Sequence, residues 1–143
     1  MGRSGARPLA GSFAGLSVSH ILDSSALIAL IKGERGAEFV LSLIPNGHVS
    51  AIIACETATK MFDLGETPKQ AWVLVKDFDL SIHPFDTEAA RIASGLRPIS
   101  RPFGLSFADR ACLALGIKLG LPVYTADRAW AQLKIGLDIR LIR

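Results

Sequence analysis

Short apolar runs alternate along this chain with longer segments whose apolar residues recur at helical spacing. The apolar runs predict β-strands at residues 18–22, 48–51, 80–84, 121–125 and 138–142. Helical spacing predicts helices at residues 25–31, 36–43, 52–64, 68–78, 86–96, 106–119 and 128–133. Strands that alternate with helices are typical of βαβ units, so we predict an α/β fold with a mostly parallel sheet of about five strands.

Residues with known capping preferences set the predicted helix ends. Ser24 is the predicted N-cap of the first helix, and Thr67 with Pro68 opens the fourth. Ser106 begins the helix with the strongest apolar face. Residues 97–104 contain two prolines and a glycine, so we predict a loop there.

The composition is that of an ordinary globular domain. A length of 143 residues, half of them apolar and a fifth charged, fits one domain with a proper core. No apolar run in the sequence approaches the length of a membrane span. Cys55 and Cys112 lie in apolar helical patterns, which predicts buried side chains and not a zinc site or a disulfide. We therefore expect a cytoplasmic protein.

The first 17 residues do not continue this pattern. Their glycines interrupt the apolar stretch, which makes it a poor signal-peptide core. We interpret residues 1–17 as a flexible leader, a cloning remnant or the result of an upstream start, and we place the folded domain at residues 18–143.

The net charge of +3 is unevenly distributed. Residues 8–139 hold 12 basic and 13 acidic groups, so the overall charge is weak evidence for nucleic-acid binding. Residues 91–110 are different, with four arginines and one acid. This local excess indicates either a nucleic-acid contact or a solvated surface.

Four acidic residues stand where apolar, turn-bounded segments begin or end: Asp23, Glu56, Asp109 and Asp127. In open parallel sheets ligands bind outside the carboxyl ends of the strands, and Asp23 and Asp127 each follow a predicted strand. Thr125 precedes Asp127 by two residues, so its hydroxyl could hold a carboxylate or a metal-bound water on the same side. A convergent pocket of oxygen ligands is how proteins hold Mg²⁺ or Mn²⁺.

Most of these acids also have a purely structural interpretation. Glu56 could form an ion pair with Lys60 one helical turn later. Asp109 could complete a variant capping box with Ser106. Asp127 could cap the helix that follows it. Only their convergence at one sheet edge would favour a shared site.

Other site chemistries find less support in the sequence. His20, His48 and His83 flank strands without zinc-like spacing, and we predict edge positions for them. The sequence has no Gly-x-Ser-x-Gly elbow, Walker loop or dinucleotide-binding glycine pattern. Phosphotransfer domains of the receiver and haloacid-dehalogenase kinds also place an aspartate after the first strand. The second kind needs another aspartate where Ser25 stands, and the receiver pattern is not met either.

Taken together, these segments resemble the PIN domain, and specifically the VapC-type toxin ribonucleases. Residues 22–26 (LDSSA) are similar to the family's opening strand and first acid, and Glu56 stands where its helical glutamate stands. Residues 106–114 (SFADRACLA) and 121–130 (LPVYTADRAW) resemble its last two acidic segments. The resemblance covers about residues 18–143.

The resemblance implies a three-layer α/β/α domain that cleaves RNA with Mg²⁺, or with Mn²⁺ in its place. It implies a small antitoxin as partner, and a homodimer. The catalytic and metal-binding acids that it implies are Asp23, Glu56, Asp109 and Asp127. Ser24 and Thr125 are implied as residues that support these acids, and the candidates for an RNA-binding rim are Arg97, Arg101, Arg110 and Arg128. A PIN-like scaffold that binds RNA or a partner without catalysis is the alternative, although the presence of all four acids favours an enzyme.

Overall fold

The computed structural model describes residues 18–143, and the predicted leader at residues 1–17 lies outside the described residues. Within this range helices and strands alternate. The strands are β1 (His20–Leu22), β2 (Gly47–Ser50), β3 (Ser81–His83), β4 (Val123–Thr125) and β5 (Ile139–Leu141). The helices are α1 (Ser24–Lys32), α2 (Ala37–Leu43), α3 (Ala51–Asp63), α4 (Pro68–Lys76), α5 (Thr87–Gly95), α6 (Arg97–Ser100) and α7 (Phe107–Leu119). Two 3₁₀ turns cover Arg101–Phe103 and Arg128–Gln132.

All five strands form one parallel sheet in the order β3-β2-β1-β4-β5. The central strand β1 pairs with β2 on one side and β4 on the other, and Ile21 lies opposite both His48 and Val123. Ile21 and Leu22 point to opposite faces of the sheet and are both fully buried. Helices therefore cover both faces, and the predicted three-layer α/β/α fold is confirmed.

The helix α7 packs closely against the sheet along its middle turns. Ala111, Cys112, Leu113, Ala114 and Leu115 are all buried there. A Cβ atom at Gly116 would lie 2.5 Å from Cγ2 of Val123, so only glycine allows α7 to approach β4 this closely. This packing fixes the position of the start of α7 relative to the ends of β1 and β4.

The predicted loop at residues 97–104 is wrong for most of its length. Arg97–Ser100 is a short α-helix, and Arg101–Phe103 is a 3₁₀ turn. Both prolines occupy the first turn of their element, where a missing N–H costs no intrahelical hydrogen bond. The helix predicted at residues 128–133 is also wrong, because Arg128–Gln132 form a 3₁₀ turn.

The predicted cap of α1 is also wrong by one residue. Asp23 is the N-cap, because its side chain accepts a hydrogen bond from the backbone N–H of Ser25. Ser24 is the first residue of the helix itself, so its hydroxyl is available for another partner.

The predictions for the cysteines and histidines are only partly right. Cys112 is buried as expected, but Cys55 is exposed because it lies on the outer side of α3. His20 is buried in the central strand, where its ring is hydrogen-bonded to the carbonyl of Leu43, so it is not an edge residue. His48 and His83 lie on the two strands at one side of the sheet and are hydrogen-bonded to each other at 2.8 Å.

A search of residues 18–143 for a membrane-spanning helix finds none that is sufficiently long and apolar.

Candidate acidic active site

Asp23 lies at the carboxyl end of the central strand, and its side chain is 3 % exposed. One carboxylate oxygen, Oδ2, accepts hydrogen bonds from Oγ of Ser25 at 2.7 Å and from Oγ1 of Thr125 at 3.0 Å. The other oxygen, Oδ1, is buried and has no hydrogen-bond partner among the described residues. A buried carboxylate oxygen without a partner is unfavourable unless a ligand compensates for it.

Burial raises the pKa of Asp23 from 3.8 to about 6. The hydrogen bonds from Ser25 and Thr125 act in the opposite direction, and the nearby charge of Asp109 raises this pKa further. The environment therefore disfavours the charged form of Asp23 in the absence of a cation.

Glu56 lies in the second turn of α3, where it is half-buried. Its Oε1 accepts a hydrogen bond of 2.5 Å from Oγ of Ser24, which is itself buried. The ion pair with Lys60 that the sequence allowed is not among the ion pairs formed within residues 18–143. The side chain of Glu56 is therefore turned toward the start of α1.

Asp109 belongs to the capping box of α7. Its Oδ2 accepts a hydrogen bond from the backbone N–H of Ser106 at 2.8 Å, and its own N–H donates to Oγ of Ser106 at 3.1 Å. Burial raises the pKa of Asp109, and the charges of Glu56 and Asp127 raise it further. The structural interpretation from the sequence is thus correct, but the same carboxylate also lies within electrostatic reach of the other acids.

Asp127 follows β4 and is exposed. Its carboxylate accepts a hydrogen bond from the N–H of Ala129 at 3.0 Å, which caps the 3₁₀ turn. Its backbone N–H donates to Oγ1 of Thr125 at 3.0 Å. Thr125 therefore joins Asp23 and Asp127 through one hydroxyl group.

The four predicted acids thus gather at one edge of the sheet. Asp109 interacts electrostatically with Asp23, Glu56 and Asp127. The side chains of residues 18–143 nevertheless form no ready-made group of three or more His, Cys, Asp or Glu that could hold a metal ion.

The donor set fits a hard divalent cation in its chemistry. All four side chains offer carboxylate oxygens, which Mg²⁺ and Mn²⁺ prefer. The unpartnered Oδ1 of Asp23 and the raised pKa values of Asp23 and Asp109 indicate uncompensated negative charge. A cation at this position would compensate it.

The four arginines predicted to form an RNA-binding rim differ in their surroundings. Arg110 is half-buried, and its Nη1 donates to the carbonyl of Ala93 at 3.1 Å, so it joins α7 to α5. Arg128 is exposed and donates to the carbonyl of Arg143. Arg97 and Arg101 are exposed on α6 and the adjoining 3₁₀ turn.

The antiparallel packing of α5 and α7 determines where Arg97 and Arg101 lie. Asp86 at the start of α5 forms an ion pair with Lys118 at the end of α7. Arg110 contacts Ala93 at the opposite end. The segment after α5 therefore lies at the end of α7 that carries Asp109.

Ser25 was not predicted as a site residue, although it contacts Asp23, Thr125 and Ala126. Two of these partners lie about a hundred positions away in the sequence, so its contacts depend on the fold. The only local signal was its place in the run of residues 22–26.

Comparisons with known proteins agree with this architecture. The family model described as PIN domain matches residues 20–136. A search of curated proteins finds no match to this sequence.

Several solved structures share the fold. The DNA-bound VapBC of Salmonella typhimurium is 18% identical with a TM-score of 0.69, over 89% of this chain and 100% of that chain. VapBC-1 of nontypeable Haemophilus influenzae is 16% identical with a TM-score of 0.67, over 87% of this chain and 98% of that chain. VapC20 of Mycobacterium tuberculosis, described as a sarcin-ricin loop cleaving toxin, is 18% identical with a TM-score of 0.66, over 81% and 97% of the two chains.

Proposed function

The chain belongs to the PIN domain family, and we propose on that premise that it is a metal-dependent endoribonuclease, the toxin of a toxin–antitoxin pair. The observation that carries this proposal is the buried, unpartnered Oδ1 of Asp23 within electrostatic reach of another acid, Asp109. A protein that served only as a scaffold would gain nothing from this unfavourable arrangement.

The residues that would hold the cation are Asp23, Glu56, Asp109 and Asp127. Magnesium is the expected metal and manganese its substitute, because the donors are all carboxylates. When bound, such a cation would polarise the phosphate and lower the pKa of an attacking water.

The chain's own residues would orient the acids around this position. Ser24 holds Glu56, and the hydroxyl of Thr125 holds Asp23 and the backbone of Asp127. Asp109 is held by its capping box with Ser106. Groups fixed in this way need little rearrangement when a cation and a phosphate enter the site.

RNA is the proposed substrate. One relative of the same fold, VapC20, is described as cleaving the sarcin-ricin loop. The acidic site would repel an RNA backbone, and Arg97 and Arg101, which are exposed, would offset that repulsion. Arg128 is a weaker candidate because it contacts the C-terminal residue, and Arg110 is withdrawn from this role because it joins two helices.

A small antitoxin is the proposed partner. Several proteins of the same fold are described as VapBC, two of them bound to DNA, and VapBC-5 of Mycobacterium tuberculosis is described as a member of a family of toxin–antitoxin systems. We also propose a homodimer that forms through α3 and α4. Phe62 of α3, Leu64 directly after it, and Trp72 and Val73 of α4 are exposed apolar side chains that such an interface would bury.

The test begins with inducible expression of the wild-type chain and Asp23→Ala in bacterial cytoplasm, followed by sequencing of RNA 5′ ends. The proposal expects growth arrest and new RNA ends with the wild type only. Asp63→Ala is the matched control, because Asp63 is an exposed acid at the far end of α3. The purified protein should then cleave the same RNA with Mg²⁺ or Mn²⁺ and stop when EDTA is added.

Equal RNA ends in the wild type and in Asp23→Ala would overturn the assignment of the site. Cleavage that persists in EDTA would overturn the metal dependence alone. Light scattering of the wild type and Trp72→Glu tests the dimer separately, since the dimer predicts twice the chain mass for the wild type only.

A further inference from the structure

Ser25 is hydrogen-bonded both to Asp23 and to the backbone segment that carries Asp127, although its own side chain is not acidic. It lies in the first turn of α1 and is half-buried. Its Oγ donates to Oδ2 of Asp23 at 2.7 Å and accepts a hydrogen bond from the backbone N–H of Ala126 at 2.9 Å. Because Ala126 precedes Asp127, Ser25 joins the first acid to the segment that carries the last.

Thr125 makes the same pair of contacts from the other side. Its Oγ1 donates to Oδ2 of Asp23 and accepts from the N–H of Asp127, each at 3.0 Å. A hydroxyl has a single hydrogen, so each of the two hydroxyls directs its hydrogen to Asp23 and receives one backbone N–H. The 3.2 Å contact between the oxygens of Ser25 and Thr125 then needs no hydrogen of its own.

The two carboxylate oxygens of Asp23 differ in the hydrogen bonds that they accept. An ionised carboxylate oxygen offers about two lone-pair directions, and Oδ2 already accepts from the two hydroxyls and, at 3.4 Å, from the backbone N–H of Ser25. No such partner reaches Oδ1 among the described residues, and that oxygen is buried. Asp23 can therefore offer only Oδ1 to a ligand while both hydroxyls are in place.

We infer that Ser25 is a positioning residue of the acidic site, one that orients Asp23 so that Oδ1 alone is available to a divalent cation and fixes the segment before Asp127. This inference rests on the proposed function, and it adds a residue that acts through Asp23 and Asp127 without contacting the cation. Residues that orient metal ligands in this way affect metal affinity strongly, commonly by about 10- to 100-fold.

The test is a titration of the purified full chain with Mn²⁺, in which electron paramagnetic resonance measures the concentration of free ion. Ser25→Ala is expected to bind Mn²⁺ at least about tenfold more weakly than the wild type. Ser25→Thr keeps the hydroxyl and is expected to restore affinity close to that of the wild type. A purely structural role for Ser25 would lower the melting temperature in EDTA and leave the Mn²⁺ affinity unchanged.

Ser94→Ala is the matched control, because Ser94 is an exposed helical serine whose hydroxyl donates to the carbonyl of Arg91. It should bind Mn²⁺ as the wild type does. If Ser25→Ala does not fold, Ser25→Cys replaces it, because the thiol keeps the shape but is a weak donor. The cysteine variant is then expected to bind Mn²⁺ more weakly than the threonine variant.

The outcomes distinguish this inference from the proposed function. Wild-type Mn²⁺ affinity in Ser25→Ala or in Ser25→Cys, in a protein whose wild type binds the ion and cleaves RNA, overturns the inference alone. A wild type that neither binds Mn²⁺ nor cleaves RNA overturns the proposed function, and the inference with it.

Discussion

Ser24 donates a hydrogen bond to Oε1 of Glu56 at 2.5 Å and thereby joins the first residue of α1 to α3. Ser24 is only 3 % exposed, so water does not compete effectively for this contact. The bond keeps the glutamate within electrostatic reach of Asp109, whose pKa it raises. The role of Glu56 should therefore depend on both its charge and its placement.

Replacement of Ser24 by alanine should separate placement from charge. Without the hydroxyl, Glu56 keeps its charge but loses its anchor, and we expect RNA cleavage to fall by about tenfold. The free energy of unfolding should fall by about 1.5 to 3 kcal/mol, the usual net value of a hydrogen bond to a charged group. Cleavage assays and urea titrations measure the two effects.

Glu56→Gln should show the opposite combination. Its amide oxygen can still accept a hydrogen bond from Ser24, so the variant should be as stable as the wild type. Because the variant loses a metal-binding charge, its RNA cleavage should fall by far more than that of Ser24→Ala. Equal RNA cleavage by Glu56→Gln and Ser24→Ala would show that Glu56 has no role as a charged ligand.

Asp109 and Ser106 allow the structural and chemical roles of one carboxylate to be measured separately. Asp109→Asn keeps an acceptor for the N–H of Ser106 and removes a repelling charge, so we expect a fold at least as stable as the wild type but no cleavage. Ser106→Ala removes the cap and keeps the carboxylate, so it should lose about 1 kcal/mol of stability and keep most of its activity. If Asp109→Asn still cleaves RNA, Asp109 serves only as a cap for α7 and has no role in catalysis.

The sequence was sufficient for those parts of the site that depend on strand periodicity and sheet edge. Asp23 and Asp127 each follow a buried apolar run, and parallel strands bring their carboxyl ends to one edge, so the convergence of the two could be predicted. The capping box at Ser106 and Asp109 could also be predicted, because it depends only on two residues three positions apart in the sequence.

Features that depend on long-range packing could not be predicted. The contacts of Ser25 with Thr125 and Ala126 exist only after α1 and β4 have packed together. The exposure of Cys55 depends on which side of α3 faces outward, since the apolar pattern of this helix extends beyond its buried stripe. Pro98 and Pro102 are compatible both with a loop and with the first turn of a helix, and local sequence does not decide between them.

The buried carboxylate of Asp23 should make the metal-free protein less stable at neutral pH. Because folding raises the pKa of Asp23 from 3.8 to about 6, the folded state binds more protons than the unfolded state between these two values. The contribution of Asp23 to stability is thus largest in acid and declines as the pH rises through this window, by about 3 kcal/mol in total.

Asp23→Asn should remove this decline, because asparagine does not ionise. In EDTA at pH 7 the variant should melt at a higher temperature than the wild type, and the two melting curves should approach each other below pH 4. Excess Mg²⁺ should raise the melting temperature of the wild type and have little effect on the variant. A variant less stable than the wild type at pH 7 would contradict the unfavourable charge at this position.

The exposed arginines after α5 should contribute to RNA binding through contacts with phosphates, and this contribution should weaken as the salt concentration rises. Arg101→Ala, measured in the Glu56→Gln background so that the RNA stays intact, should weaken binding and reduce the slope of log affinity against log salt by about 1. Lys76→Ala is the matched control, because Lys76 is exposed and ends α4 just before β3 begins, at the opposite edge of the sheet.

Arg110→Ala should differ from both of these variants. Its guanidinium donates to the carbonyl of Ala93, so its loss leaves that contact between α5 and α7 unmade and should lower the melting temperature without a change in the salt slope. An unchanged slope in Arg101→Ala, together with a reduced slope in Arg110→Ala or Lys76→Ala, would mean that RNA approaches the acids from a different side. The segment of residues 97–103 would then serve only to connect α5 and α7.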